Sequence, residues 1–596
     1  MNIVRWLIGY MMSRKTLFLL AAGFSFLFST TNAIIPYFTG QLIDFIEEHV
    51  LNGNLGVFGI IIGISIGILA LQLLSHVFHA CTFYYSDYFE GRVIQKLRRD
   101  VFIALQGQSH KYYDQHSTGD LLSRSTSDIQ ILWDLVFFIP FFGTAAITRA
   151  ILILSFLFFI SFQLGILGLL SLPVMIFLGL RFEKKYRKAV REARTQFGQL
   201  SRVLQENLDG ANVSRAFAAE EKEKKRFNEE NQKYFDLNLR ARKMNAAFEP
   251  QLNILTGIVA ASILIVGSFL VLDGIISLGM LVAAILYAGM FAAPVAQIAF
   301  LTTLIGQGKG AAERIIEILE STPEVFEDSD AIELPAGARG KIRLEQVNFA
   351  YSEEPVLKGI NLTIPGGQSI AILGATGSGK SSLINLIPRF YEVNEGCVKI
   401  DGIDIRKLKL EKFRRRIGFV DQETFLFSKS VHDNIAFGHP DASKEDVITV
   451  AKMAIAHDFI MKMPQGYDTI VGERGVTLSG GQRQRISIAR ALLANPLIVI
   501  LDDSLSSVDM KTEKKIVTAT QALLKNRTSI IVTQRLSVLS YVDWIVIMDK
   551  GRIVEEGTHD ELLNFEGIYK GLWETQQDGL VDLTKIPEIM EVDDSV

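Results

Sequence analysis

Charge-free stretches dominate the first half of the chain. No charged side chain occurs from Thr16 to Ile43, and none from Leu51 to Ser86 if His76 and His79 are counted as neutral. Each stretch exceeds the ~20 apolar residues that a bilayer core requires. Two more apolar runs, 137–161 and 164–180, are joined near Phe162-Gln163. A last pair, 251–272 and 279–306, is joined by Asp273-Gly274. The pattern predicts six membrane-spanning helices, the first two near 16–43 and 57–86, within a region 16–307. Lysine and arginine crowd 92–124 and 181–243, whereas the intervening loops at 46–55, 162–163 and 273–278 have none. Basic loops stay on the cytoplasmic side, so both termini are expected there, in a multi-pass protein of the cell membrane.

Around these spans the pattern changes three times. Residues 1–15, with Trp6, Tyr10, Arg5, Arg14 and Lys15, predict a short elbow helix in the membrane interface. The basic loops are too long for ordinary connections and have a helical look, which predicts cytoplasmic extensions of the spans, levers tens of ångströms long at ~1.5 Å per residue. After 307 the long apolar runs stop. Breakers at Glu320-Ser-Thr-Pro-Glu324 and Pro335–Gly340 mark 308–340 as a linker. A soluble α/β domain is expected over 341–575, and an acidic, loose tail over 576–596.

Composition adds little and excludes some. The 596 residues exceed one core, and 49% are hydrophobic. A net charge of −4 gives no support for a nucleic-acid partner. Cys81 and Cys397, far apart, provide no disulfide framework and no CxxC metal site. Within the spans, Arg149 is an intramembrane charge about three turns from the cytoplasmic end of its helix, too far for easy snorkelling. A cavity-facing role is expected for it. Pro294 is expected to kink the sixth span. Gln297 is expected to pair with a neighbouring helix rather than face a cavity.

The chemistry sits in the second half. Gly374-Ala375-Thr376-Gly377-Ser378-Gly379-Lys380-Ser381 fits G-x-x-x-x-G-K-[ST]. It follows the apolar run Ser369–Leu373, read as a buried strand, and precedes a helical pattern starting at Ser382. In that setting glycine amides and a helix N-terminus close on phosphate oxygens. Lys380 would reach the β- and γ-phosphates of ATP, and Ser381 would hold Mg²⁺. Ile498–Leu501 is a second buried strand, and it ends in Asp502, the Walker B placement of a carboxylate beside Mg²⁺.

Ahead of that strand stands Leu478-Ser479-Gly480-Gly481-Gln482. Here the chain resembles the ATP-binding cassette (ABC) family, whose signature this is. The serine hydroxyl and glycine amides at a helix start are anion donors. The resemblance implies that they act on ATP held by a second subunit's P-loop. It further implies that Tyr351 stacks on adenine, that Gln422 contacts Mg²⁺ and water, and that Ser506-Ser-Val-Asp509 is the D-loop. Tyr113–Arg124 and Arg215–Glu221 resemble the cytoplasmic coupling segments of ABC exporters. A helical six-span domain with long extensions, followed by one P-loop α/β cassette, is the layout of a half-transporter.

Two positions depart from the family. Glu normally follows the Walker B aspartate and polarises the attacking water, whereas this chain has Asp503. One methylene less withdraws the carboxylate by roughly 1.5 Å, enough to lose a ~3 Å contact. Where the family has His, the chain has Gln534, an amide that hydrogen-bonds but cannot become a cation. Both changes touch hydrolysis and spare binding. The chain therefore resembles the degenerate-site subunit of heterodimeric bacterial multidrug exporters, pairing with a different half-transporter that has both consensus residues. Hydrophobic or amphipathic small molecules are the expected cargo. A homodimeric lipid or peptide exporter, or a membrane subunit gated by ATP that pumps nothing, has the same layout.

Overall fold

A computed structural model describes residues 3–50, 58–472, 475–502, 524, 526–533, 539 and 542–577. The chain divides into two compact units. One comprises Met1–Gly107 with Ser117–Ser321, the other Gln108–His116 with Thr322–Val596.

The first unit is helical. Helix α1 (Ile3–Met12) precedes α2 (Lys15–Val50) and α3 (Phe58–Gln106). Two short helices follow, α4 (His110–Gln115, which belongs to the second unit) and α5 (Thr118–Ser123). Next come α6 (Ile129–Phe138), α7 (Thr144–Ile160), α8 (Phe162–Asp209), α9 (Ala211–Ala216), α10 (Glu220–Leu272), α11 (Leu278–Gly289) and α12 (Ala292–Glu320). Among the described residues, six helical segments are long and apolar enough to cross a membrane. A single extended residue, Ser161, separates α7 from α8. Gly274, with φ 68°, lies in the turn after α10. Helices α8, of 48 residues, and α10, of 53, each run on from a span into an expected cytoplasmic extension, span and extension together measuring about 70–80 Å.

Three details refine the sequence-based expectation. Helix α1 forms over the expected elbow, and Trp6 lies on its inner face. It is 7% exposed and packs in a cluster with Leu97 of α3, Leu132 of α6 and Ile315 of α12. Tyr10 is likewise engaged, its hydroxyl donating to Asp100 at 3.0 Å. The sixth span is interrupted where Pro294 was expected to kink it: α11 stops at Gly289, Met290 and Phe291 keep right-handed helical backbone, and α12 restarts at Ala292 with Pro294 in its first turn. There its missing N–H costs nothing, because first-turn amides have no intrahelical acceptor. Gln297 is half-buried, and its Oε1 has no hydrogen-bond partner among the described residues.

Two contacts fix the ends of this unit. Asp44 on α2 accepts from the Gly279 amide at 2.7 Å and from the Ser277 hydroxyl, capping α11. The backbones meet there, for a Cβ on Gly279 would lie 2.0 Å from the Gly40 carbonyl oxygen. Further along the chain, the buried Asp128 accepts from Arg314 Nε at 2.7 Å and Nη2 at 2.5 Å, while Arg124 donates to Glu317 at 2.7 Å.

The second unit has two sheets. Four antiparallel strands run in the order β2 (Leu357–Ile364), β1 (Ile342–Phe349), β4 (Glu395–Ile400), β5 (Ile403–Asp404). Six run in the order β10 (Arg552–Gly557), β9 (Trp544–Asp549), β3 (Ser369–Gly374), β8 (Thr528–Val532), β7 (Ile498–Asp502), β6 (Ile417–Val420). All neighbours in this sheet are parallel except β10 with β9. Strands β3, β7 and β8 are buried along nearly their whole length because both faces are covered. One core joins the two sheets and takes in Leu383, Ile384 and Leu386 of α13 (Lys380–Leu386). Segment 108–116 packs on this unit. Tyr391 donates to Asp114 at 2.8 Å, and the His110 ring stacks on Phe390 with centroids 4.3 Å apart. Burial, and then the nearby Arg414 cation, hold His110 below its ordinary pKa.

Candidate nucleotide site

Parallel strands deliver their carboxyl ends to one edge, and ligands bind there in open α/β sheets. The P-loop leaves β3, Asp502 ends β7, and Gln422 follows β6 by two residues. Gly374 holds φ 151° with a hypothetical Cβ 2.2 Å from the Met548 carbonyl oxygen, so only glycine fits. Gly377 holds φ 84° with open space where a Cβ would stand, the room that phosphate oxygens need. Lys380 is 9% exposed, and its ammonium folds back onto the loop. It donates to the carbonyls of Gly374 at 2.9 Å and Ala375 at 2.8 Å, and lies 3.5 Å from Ser378 Oγ.

The Ser381 hydroxyl donates to Asp502 Oδ1 at 3.4 Å, and the carboxylate is 6% exposed. A hydroxyl beside an acid, both of hard oxygen, suits Mg²⁺. The Gln422 side chain is exposed and has no hydrogen-bond partner among the described residues. Tyr351 stands beside the P-loop, 39% exposed, and its hydroxyl donates to Ser382 at 3.1 Å. Its ring meets Phe349 and Tyr391 edge-on. Sequence reasoning missed the Tyr351–Ser382 bond and the Phe390-Tyr391 seat for segment 108–116. Both pair residues far apart in the chain, and no local pattern signals that. Thr376 is placed within the same loop.

The signature turn forms a separate element. Ser479 caps the helix Gly480–Leu493, and Gln482 closes a capping box: Ser479 Oγ accepts from the Gln482 amide, and Gln482 Oε1 accepts from the Ser479 amide at 2.9 Å. Arg483 donates to the Leu478 carbonyl at 2.8 Å and pins the turn from behind. Leu478 and Gly481 are buried, whereas Ser479 and Gly480 are exposed. No hydrogen bond joins Leu478–Gln482 to this chain's P-loop among the described residues. Further along the helix, burial pushes Arg490 down to about 10. It donates to the Asn434 carbonyl at 2.8 Å. Asp503, Gln534 and Ser506–Asp509 lie outside the described residues, as does nearly all of the tail 576–596.

These features define a P-loop ATPase domain in a polypeptide that spans a membrane six times. The chain belongs to the ABC transporter family. Residues 18–295 match the family model for the ABC transporter transmembrane region, and residues 357–506 match that for the ABC transporter itself. It is similar to an ATP-dependent lipid A-core flippase of Syntrophus aciditrophicus, 37% identical over 518 residues and covering 85% of each chain. It is also similar to a putative multidrug export ATP-binding/permease protein of Staphylococcus aureus, 35% identical over 548 residues, 91% of this chain and 94% of the relative. Among solved structures, a bacterial Atm1-family ABC exporter with ATP bound superposes with a TM-score of 0.81 at 25% identity, covering 93% of this chain and 98% of that one. The protein is thus an exporter-type half-transporter, multi-pass in the plasma membrane, with a cytoplasmic domain that binds ATP and couples its hydrolysis to transport.

Proposed function

We propose that this chain is one half of a heterodimeric exporter of hydrophobic or amphipathic compounds, in which its own P-loop holds ATP and the partner's P-loop does most of the cleaving. One observation carries this reading: Asp503 and Gln534 replace the glutamate and histidine of the family, while Lys380, Ser381 and Asp502 keep their consensus identities. Tyr351 would stack on adenine, and Gly374 through Ser382 would surround the phosphates. Ser381, Asp502 and Gln422 would hold Mg²⁺, which neutralises charge on the β- and γ-phosphates. Leu478 through Gln482 would act on the partner's nucleotide, and the exposed, already capped Ser479 is suited to that. The bend between α8 and α10 also leaves Val213 and Phe217 exposed, Phe217 at 80%, an apolar tip fit for a second chain.

The test is hydrolysis by the chain alone, then with a half-transporter that has both consensus residues. The chain alone should turn over slowly. Asp503→Glu with Gln534→His should raise its phosphate release about a hundredfold, the usual worth of a positioned general base. Brisk release by the unaltered chain, lost in Asp503→Asn, would refute the division of labour. A lipid cargo is the second reading, favoured by the 37% identity to a chain named as a lipid A-core flippase.

A further inference from the structure

The six charge-poor runs contain a single charged side chain. No Asp or Glu occurs in 16–43, 58–86, 137–161, 164–180, 251–272 or 279–306, and Arg149 is the only Lys or Arg in the last five. It lies about three turns from either end of its run, further than a side chain extends to reach water. Guanidinium stays protonated even there.

Its surroundings answer the charge only in part. The guanidinium carbon of Arg149 stands 5.4 Å from the Phe28 ring centroid. Phe28 packs on His79 at 4.7 Å, and His79 on Phe141 at 5.6 Å, so rings from α2, α3 and the turn before α7 surround one side. Arg149 Nε is buried with no hydrogen-bond partner among the described residues, although the residue as a whole keeps some accessible surface. The Ser29 hydroxyl, next to Phe28 in sequence, is a second buried group without a partner. A cation–π contact offsets less than a guanidinium loses on leaving water for hydrocarbon. The remaining demand is for an anion, and a second copy of this chain would bring none at that depth.

We propose that Arg149 is the recognition point for an acidic headgroup, and that the chain's ligand is an anionic amphipath: a phosphate or carboxylate on an apolar tail. A guanidinium meets either group through two parallel N–H···O bonds. The aromatic wall of Phe28, His79 and Phe141 accepts the carbon next to it. Describing this ligand as cargo rests on the exporter reading, whereas the anion site itself does not.

The test uses the full-length chain in a neutral maltoside detergent without nucleotide or partner, so hydrolysis plays no part. Binding of dodecyl phosphate, dioleoyl phosphatidate and dodecyltrimethylammonium is measured by native mass spectrometry or thermophoresis. The unaltered chain should bind dodecyl phosphate at least about tenfold more tightly than the ammonium of equal length. Arg149→Gln should erase that preference, and Arg149→Lys, which keeps the charge and controls for folding, should retain part of it. Phosphatidate binding as well as dodecyl phosphate identifies a lipid headgroup as the source, and dodecyl phosphate alone a free amphipath. No charge preference in the unaltered chain, or the same preference in Arg149→Gln, overturns the proposal and assigns the counter-ion to a partner chain. Either result leaves the exporter reading standing, since that is judged by hydrolysis and transport.

Discussion

Lys380 and Arg149 are both cations shielded from water, and the protein treats them oppositely. The Lys380 ammonium is met by two carbonyls of its own loop. Arg149 is met by an aromatic ring, and its Nε by nothing among the described residues. A site satisfied at rest exchanges bonds when a phosphate arrives, so it binds and releases with modest net energy. A site unsatisfied at rest has a standing demand, and its preference shows in what it excludes. The cassette therefore recognises by geometry rehearsed in advance, and the membrane half by an uncompensated charge.

The largest break in this comparison would come from Lys380→Ala. Removing the ammonium should weaken ATP retention about tenfold to a hundredfold, read by equilibrium dialysis with labelled nucleotide. Unchanged retention would mean that the folded-back lysine never leaves its loop. Gly279→Ala asks whether the membrane half also contains fully satisfied, close-packed contacts. With only 2.0 Å between the new Cβ and the Gly40 carbonyl oxygen, the backbones must part. The thermal midpoint of the detergent-solubilised chain should fall, at a cost of about 1–3 kcal/mol. The smallest effect concerns His110. Its docked pKa lies below the free value of ~6.5, so the undocked segment takes up a proton that the docked one refuses. Packing of 108–116 should be fully present above ~6.5 and weaken as the pH falls beneath it. Hydrogen exchange across 110–115, corrected for intrinsic rates, should show this in the unaltered chain and not in His110→Gln.

The parts that could be read from sequence were those with a local cause. Charge-free stretches found the six spans, because a bilayer tolerates little else at that length. The P-loop, Asp502 and the signature turn declared themselves, because phosphate chemistry demands fixed spacing within one short segment. What escaped was set by distant pairing. Nothing near Trp6 says that α3, α6 and α12 will cover it, and nothing near Tyr391 announces Asp114. Pro294 was noticed, and the interruption it foretold falls one turn ahead of it, at Met290–Phe291. Nothing near Gln297 signals that its Oε1 will be buried without a hydrogen bond among the described residues.

The lapse at Met290–Phe291 has a mechanical meaning. On one side of it α11 is clipped to α2 through Asp44, and on the other α12 is roped to Asp128 and Arg124 through Arg314 and Glu317. A continuous helix fastened at both ends would spread any torque along its whole length, whereas an interrupted one concentrates flexure at the interruption. Motion passed up α12 would then be spent as rotation at that joint, leaving the outer clip undisturbed.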